Sequence, residues 1–574
     1  MHADSPLTIV EREGATPDLP GVPDLLRRIY GNRGITSAAE LERSLAGLED
    51  PAPMRDIDTA AQRIARAVRE GQHILFVGDF DADGATSVAL GVSVLRAFGA
   101  ERVDFVVPNR FEFGYGLSPE IVRVALAREP DLLITVDNGV SSIEGVELAN
   151  AGGVDVIVTD HHLPGAQLPP AHAIVNPNVP GCGFPSKAIA GVGVIYCVLS
   201  RVRRVLGEAG WFADNGREEP NLAQWLDLVA LGTVADVVPL DRNNRTLVHQ
   251  GLVRMRKGRC RHGIQALAEV SGRSLPGLRA SDLGFQIGPR LNAAGRLKDM
   301  SLGIRCLLAD SLAEARQHAA ALDELNRTRR ELQREMVAEA ELIVAEQGRK
   351  TQERYGVSVF DPDWHQGIVG IVAGRLRERI NRPVVAFAPA GDAEPDALRG
   401  SARSVPELHI RDALDALAAR HPGLLVKFGG HAMAAGLSIR RVHYEHFAKA
   451  FDRIVRDRLP PAALEARIET DGELSSSEIT LQNAVHLADG GPWGQAFPEP
   501  SFHGEFEIVN QRVVGETHLK LVLRFGARLV DAIAFNQPPL PGAARLHAVY
   551  RLDINDYGGA QTVQLRLEHL RQSG

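Results

Sequence analysis

Ile74-Leu75-Phe76-Val77-Gly78-Asp79-Phe80-Asp81-Ala82-Asp83-Gly84 joins a short apolar run to three carboxylates at alternate positions. The apolar half has the length and composition of a strand buried on both faces, and the acidic half begins where such a strand would end. Comparable runs recur at Val103–Val107, Leu132–Val136 and Val154–Val158, separated by helical stretches at Ala85–Phe98, Pro119–Ala127 and Ser142–Ala151. Ser118 and Ser141 stand ready as caps, Gly99 and Gly152 as stops. This alternation predicts an α/β fold with a doubly wound parallel sheet.

In such a sheet the strand C-termini converge on one crevice. Asp79, Asp81 and Asp83 follow the first run, Asp137 of Asp137-Asn138-Gly139 the third, and Asp160-His161-His162 the fourth. Asp236, in Gly232-Thr-Val-Ala-Asp, is weaker evidence because that stretch also reads as a helix end. Hard oxygen ligands mixed with imidazole suit two divalent cations and phosphoryl chemistry. A calcium loop of the EF-hand type is excluded, since its twelfth position is Leu90 and a strand precedes it. A solvated acidic turn explains one aspartate but not three behind a buried strand, where packed like charges need a cation or strongly raised pKa values. A lone histidine is more often structural than a ligand. Here a pair stands beside a carboxylate at a strand end.

The 574-residue chain exceeds one core and calls for three or four domains. Its 44% apolar and 24% charged content is ordinary for a soluble protein, and no apolar run reaches membrane-spanning length. Without a leader-like N-terminus, a cytoplasmic location is expected. Cys182, Cys197, Cys260 and Cys306 are scattered, against both a disulfide scaffold and a zinc ribbon. A net charge of −8 argues mildly against a nucleic-acid partner, although basic stretches at Arg254–His262, Arg327–Arg330 and Arg375–Arg379 run the other way.

Along the chain we expect an N-terminal cover segment (1–59), the α/β domain (60–309), a long connecting helix (310–349), a second, smaller α/β domain (350–461) and a C-terminal β-barrel of the OB type (462–574). Ser311–Gln347 lacks Gly and Pro, and a continuous helix there would be about 55 Å long, a strut across a groove between two domains. Period-2 runs near 506–510, 519–524, 529–535 and 562–568 carry the barrel expectation. Trp364-His-Gln-Gly, Gly400-Ser401-Ala-Arg403 and Gly429-Gly-His431-Ala-Met-Ala-Ala-Gly436 let backbone amides approach an anion beside His, Ser or Arg. Arg290 and Arg296 of Gly-Pro-Arg-Leu-Asn-Ala-Ala-Gly-Arg lie among small and apolar residues, which hints at phosphate contacts.

Taken together with Asn109-Arg110 and Gly114-Tyr-Gly116, these motifs resemble the DHH phosphoesterase superfamily, named for a triplet like Asp160-His161-His162, and within it the RecJ-type exonucleases. The resemblance runs in order from about residue 25 onward. It implies a DHH domain, a DHH-associated domain and an OB-like barrel. It also implies 5′→3′ hydrolysis of single-stranded DNA by a two-metal mechanism with Mn²⁺ or Mg²⁺, in recombination and repair. Asp83, Asp137, His161 and Asp236 would hold one ion, and Asp81 and Asp137, with Asp79 nearby, the other. His162 would face the scissile phosphate and, with Asp79 and Asp160, make up the catalytic group. Arg110, Arg290, Asn292, Arg296, Ser401, Arg403 and His431 would contact DNA. Single-strand-binding protein and a helicase are implied partners, and a monomer is the default. A phosphatase of small substrates and a non-catalytic DNA scaffold are the rival readings.

Overall fold

The computed structural model describes residues 8–108, 116–346, 354–391, 394–515, 517–556 and 559–573. The chain forms two compact units, one from Glu11–Asp323 with Glu469–Gly574, the other mainly from Glu324–Ile468.

In the first unit the strands β1 (Ile74–Val77), β2 (Val103–Val106), β3 (Leu132–Val136), β4 (Asp155–Thr159) and β5 (Ala173–Val175) form one sheet in the order β2-β1-β3-β4-β5, parallel throughout. The chain leaves β1 to one side for β2 and returns to the other for β3, so the winding direction reverses at the C-terminal ends of β1 and β3. One face of the sheet, with Leu75, Val77, Leu133, Val156 and Val158, packs on helices α1 (Pro119–Leu126) and α2 (Ile143–Ala151). From the other face Phe76 meets the helix Ala82–Phe98, where its ring lies 2.5 Å from the position a Cβ on Gly91 would take. That contact explains a glycine inside a helix buried on nearly all sides.

Local details depart from the sequence reading in physical ways. The helix after β1 starts at Ala82, three positions before Ala85, because Asp81 caps it by accepting from the Gly84 amide at 3.0 Å. Ser118 caps α1 as expected. Ser141 does not cap α2: its N-cap position falls to Ser142, whose hydroxyl instead accepts from the Leu117 amide. Gly99 ends its helix at φ 101°, whereas Gly152 stays right-handed and Gly153 takes the left-handed turn. Beyond β5 the unit is helical, including α3 (Gly191–Glu208), α4 (Leu226–Ala235) and α5 (Gly288–Leu297). The helix α6 (Leu312–Glu346) then carries the chain from one unit into the other.

The C-terminal part of the first unit is a closed five-stranded barrel. Its strands β6 (Phe502–Val514), β7 (His518–Phe525), β8 (Arg528–Ala534), β9 (Arg545–Asn555) and β10 (Thr562–Ser573) run in the order β6-β7-β8-β10-β9 around the closure, with β8 and β10 parallel. This is the OB arrangement. Phe502, Phe506 and Tyr550 fill its interior. The segment before the sheet is stitched to the barrel's entry, where the Arg33 guanidinium grips both oxygens of the buried Asp471 at 2.8 and 3.0 Å.

The second unit is a mixed sheet in which the strand Val357–Phe360 runs parallel to Val384–Pro389, and Ala397–Arg403, Ala434–Arg440 and Lys427–Gly430 follow antiparallel. Helices Ile410–Arg420 and Tyr444–Arg458 cover one face through Leu414, Leu417, Phe447, Phe451 and Ile454. No described helix is long and apolar enough to cross a membrane.

Candidate metal centre

The winding reversal places three strand ends side by side. Asp79 and Asp81 follow β1, Asp137 follows β3 and His161 follows β4, while Asp83 sits in the first turn of the helix after β1 and Asp236 just past α4. Single ligand atoms of Asp83, His161 and Asp236 lie within 4.8 Å of one another, as do those of Asp79, Asp81 and Asp137, and those of Asp137, His161 and His162. Asp137 belongs to two of these groups. His161 Nε2 is 3.0 Å from Asp137 Oδ1 and 3.5 Å from Asp236 Oδ2.

Each carboxylate is aimed by its surroundings. Asp83 accepts from the Gly191 and Val192 amides at 2.7 and 3.0 Å, at the N-terminus of α3, where the helix dipole favours negative charge. Asp160 turns both oxygens to the protein: it accepts from the Val140, His161 and His162 amides and holds His162 Nδ1 at 2.8 Å. It therefore positions the loop and ring. Asp137 has left-handed backbone at φ 62°, and its buried Oδ1 accepts no hydrogen bond.

The electrostatics call for cations. Burial, then the neighbouring Asp236 and Asp81, pushes Asp83 well above the usual carboxylate range. Burial, then Asp83, Asp81, Asp236 and Asp79, does the same to Asp137. Burial, then Asp81, lifts Asp236 to about 7. Asp236 also sits at the C-terminal end of α4, where the macrodipole disfavours an anion. In Asp160 the effect of burial is outweighed by the hydrogen bond and charge of His162, leaving it below the usual range. Burial of His162 is likewise overcome by Asp160, which holds it at about 9. Crowded carboxylates with an unbonded buried oxygen and an adjacent imidazole form a donor set that fits hard divalent ions.

Sequence reasoning missed several supporting residues. Asn176 and Asn178, just past β5, donate to the carbonyls of His162 and His161 at 2.9 and 2.6 Å; a polar pair at a strand end was the available signal. Gly191 and Gly232 line the site because nothing larger fits. A Cβ on Gly191 would stand 2.8 Å from Asp137 Oδ1, and one on Gly232 the same distance from Asp83 Oδ1.

The nucleic-acid candidates fall in different places. Arg110 lies outside the described residues. Arg290 is buried, with Nη2 and Nε at 2.8 and 2.9 Å from Asp323 Oδ1 and Nη1 donating to the Gln286 carbonyl. Asn292 on α5 accepts from the Ala82 amide at 2.8 Å, inside the acidic loop, and Arg296 lies one turn further along that helix. In the second unit Ser401 and Arg403 share one face of the strand Ala397–Arg403, with Arg403 Nη1 donating to Ser401 Oγ at 3.0 Å. Gly370, in the first turn of the helix Val369–Ile380, is so close that a Cβ there would be 3.0 Å from Ser401 Oγ and from Arg403 Nη2. Burial, and then Arg377, lowers the pKa of Arg403, and no carboxylate lies within 4 Å of it among the described residues. Ser401 is paired with Gly436, which in turn pairs with Gly429. His431 is in the turn between those two strands.

Residues 73–233 match the model of the DHH family, N-terminal domain, residues 352–457 that of the DHHA1 domain, and residues 470–569 that of the RecJ OB domain. The chain is 52% identical to the single-stranded-DNA-specific exonuclease RecJ of Dickeya dadantii, covering 97% of this chain and 98% of that protein. It is 50% identical to RecJ of Escherichia coli, over 97% of each. A crystal structure of Thermus thermophilus RecJ in complex with Mn²⁺ superposes with a TM-score of 0.79 at 30% identity, covering 96% of this chain and 76% of that one. A second, with Mg²⁺, gives a TM-score of 0.74 at 28% identity, covering 96% of this chain and 75% of that one. With half its residues identical to these exonucleases along nearly their whole length, and DHH, DHHA1 and RecJ OB domains in succession, the chain belongs to the RecJ family.

Proposed function

We propose that this protein is a single-stranded-DNA-specific exonuclease that degrades DNA 5′→3′ by metal-dependent phosphodiester hydrolysis, in recombination and repair. The observation that carries this reading is the gathering of Asp79, Asp81, Asp83, Asp137, His161 and Asp236 at one winding reversal. Asp83, His161 and Asp236 would hold one divalent ion, Asp79 and Asp81 the other, and Asp137 would serve both. When bound, a pair of Mn²⁺ or Mg²⁺ ions supplies Lewis acidity toward water and the phosphoryl oxygens. Asp160 keeps a proton on His162 Nδ1 and sets that ring toward the scissile phosphate. The crowded carboxylates, once deprotonated, would hold the ions in a geometry set by the fold before substrate arrives.

Arg403, Ser401 and the first turn of the helix Val369–Ile380 have the composition of a phosphate site: a cation without a carboxylate, a hydroxyl and helix amides beside bare glycine backbone. His431 borders it. Arg290, Asn292 and Arg296 act closer to the centre: Asn292 holds the acidic loop, and Arg290 braces α5, with Arg296 on the same helix to contact DNA. The barrel binds the strand in the manner of OB folds. The labour divides over 60–309, 350–461 and 462–574, with 1–59 as a cover and 310–349 as the connection. The setting is cytoplasmic, the chain works as a monomer, and single-strand-binding protein and a helicase are its partners.

The test is incubation with Mn²⁺ and DNA labelled at either end, single-stranded or duplex, alongside pyrophosphate. Mononucleotides released from the 5′ end of single strands are expected. Preferential hydrolysis of pyrophosphate, or Mn²⁺-independent binding without cleavage, would overturn the reading.

A further inference from the structure

Val77 of β1 is in register with Thr135 of β3, but the first amide beyond each strand turns to an outer neighbour. Gly78 donates to the Val106 carbonyl of β2 at 3.1 Å, and Asp137 donates to the Thr159 carbonyl of β4 at 3.0 Å. Each chain is thus drawn away from the other just where the site carboxylates begin.

One side chain spans the parting. Asn138, 1% exposed, donates one hydrogen of its amide to the Val77 carbonyl at 3.1 Å and the other to the Val136 carbonyl at 2.9 Å. Val77 and Val136 are the last residues of β1 and β3, so a single planar group ties the two strand ends. Its Oδ1 is buried and accepts no hydrogen bond, which costs stability. That cost is kept where two donors are needed at once, and an amide of this length offers two hydrogens on one nitrogen without a charge.

The tie lies where one group of ligands depends on it. Asp79 is two residues beyond Val77 and Asp137 one beyond Val136, and ligand atoms of Asp79, Asp81 and Asp137 gather within 4.8 Å. Asp83, in the other group, is held independently by the Gly191 and Val192 amides. We infer that Asn138 is a positioning residue: its amide fixes the gap between β1 and β3 and so lets Asp137 reach the ion held with Asp79 and Asp81. The inference rests on the two-ion reading and deepens it, because the two ions then depend on different parts of the fold. Asn138 reaches them only through Asp137.

The experiment is Mn²⁺ titration of the full chain, read by electron paramagnetic resonance and calorimetry, with DNA degradation alongside. Wild type should take up two ions and, with the second, give the exchange-coupled signal of a pair sharing a carboxylate. Asn138→Ala should bind the first ion as wild type and the second roughly 10- to 100-fold more weakly, the range for supporting residues of a metal site. The coupled signal should be lost at stoichiometric Mn²⁺. Its kcat should fall at limiting Mn²⁺ and recover in excess, with the KM for DNA unchanged, a pattern that general loosening of the fold does not give. Asn138→Ser keeps one donor and should fall between the two; it carries the test if Asn138→Ala does not melt cooperatively. Asn150→Ala removes a comparable amide bond, to the Pro170 carbonyl near the starts of β4 and β5, and should match wild type. Wild-type affinity and coupling in both Asn138 variants, or equal weakening of both ions, would overturn the positioning role and leave the nuclease reading standing. If wild type holds two coupled ions yet releases no nucleotide, the nuclease reading fails and the positioning role remains. If wild type holds one ion only, the two-ion reading fails and the positioning role with it.

Discussion

Asp137 shows how much chemistry one position has to satisfy. Its left-handed backbone favours Asp or Asn over most residues. Its buried carboxylate feels four other aspartates, and Gly191 leaves just enough room for it. Asp137→Asn keeps the backbone preference and the volume while removing the charge. We expect it to abolish Mn²⁺-dependent hydrolysis yet raise the melting temperature of the metal-free protein, by roughly 2–4 °C for each kcal/mol of repulsion relieved. Calorimetry in EDTA checks this, and a lower melting temperature would contradict the repulsion argument. Gly191→Ala tests the same packing from the other side. Alanine suits a helix better than glycine by about 1 kcal/mol, but its Cβ would displace Asp137. Titration calorimetry should show Mn²⁺ binding weakened roughly 10- to 100-fold, the range for supporting residues of a metal site, with the circular dichroism spectrum unchanged.

At the scale of elements, the strands of the first sheet were legible because their residues are apolar without alternation and end in charge. That alone located Asp79, Asp81, Asp83, Asp137 and Asp160. Asp236 was only half legible: it does end a helix, and the meeting of that helix end with β4 is a tertiary fact with no local trace. The same holds for Asn292, whose partner Ala82 lies 210 positions away, and for Gly232, whose neighbour is Asp83. Arg290 was read as a phosphate contact from its apolar neighbours. Those neighbours accompany burial, and Asp323, well inside α6, meets the guanidinium. Removing the cation from such a pair costs far more than the pair contributes. Arg290→Ala should destabilise the first unit by about 3–5 kcal/mol in urea unfolding, while Arg290→Met with Asp323→Leu should regain most of it. A single variant as stable as wild type would argue against the bracing role and for the DNA contact. Arg403 gives the contrasting expectation. With no carboxylate to strand, Arg403→Ala should leave stability within about 0.5 kcal/mol and weaken DNA binding, lowering the salt slope by about one.

For the whole molecule, a net charge of −8 stops being an argument against a nucleic-acid substrate once part of that charge sits in one cation-binding cluster. The cluster also makes stability depend on pH in a definite direction. Asp83 and Asp137 titrate well above the ordinary carboxylate value of 3.8 in the fold, and Asp236 at about 7. Between that ordinary value and their raised values the folded protein holds more protons than the unfolded chain, so stability falls as pH rises. His162 acts the same way: raised to about 9 by Asp160, its contribution is complete below the ordinary 6.5 and lost as pH climbs through 9. The lowered Asp160 runs oppositely but has its effect below the ordinary carboxylate value, at the acid end. Metal-free protein should therefore melt at progressively lower temperature from about pH 5 to about pH 8. Mn²⁺ needs the deprotonated carboxylates, so its stabilising increment should grow over the same interval. Melting curves in EDTA and in MnCl₂ at several pH values read both slopes. General self-repulsion of an acidic protein would also lower stability with pH, and Asp137→Asn separates the two: it should flatten the EDTA slope and shrink the Mn²⁺ increment together. An EDTA slope identical in wild type and Asp137→Asn would place the pH dependence outside the metal centre.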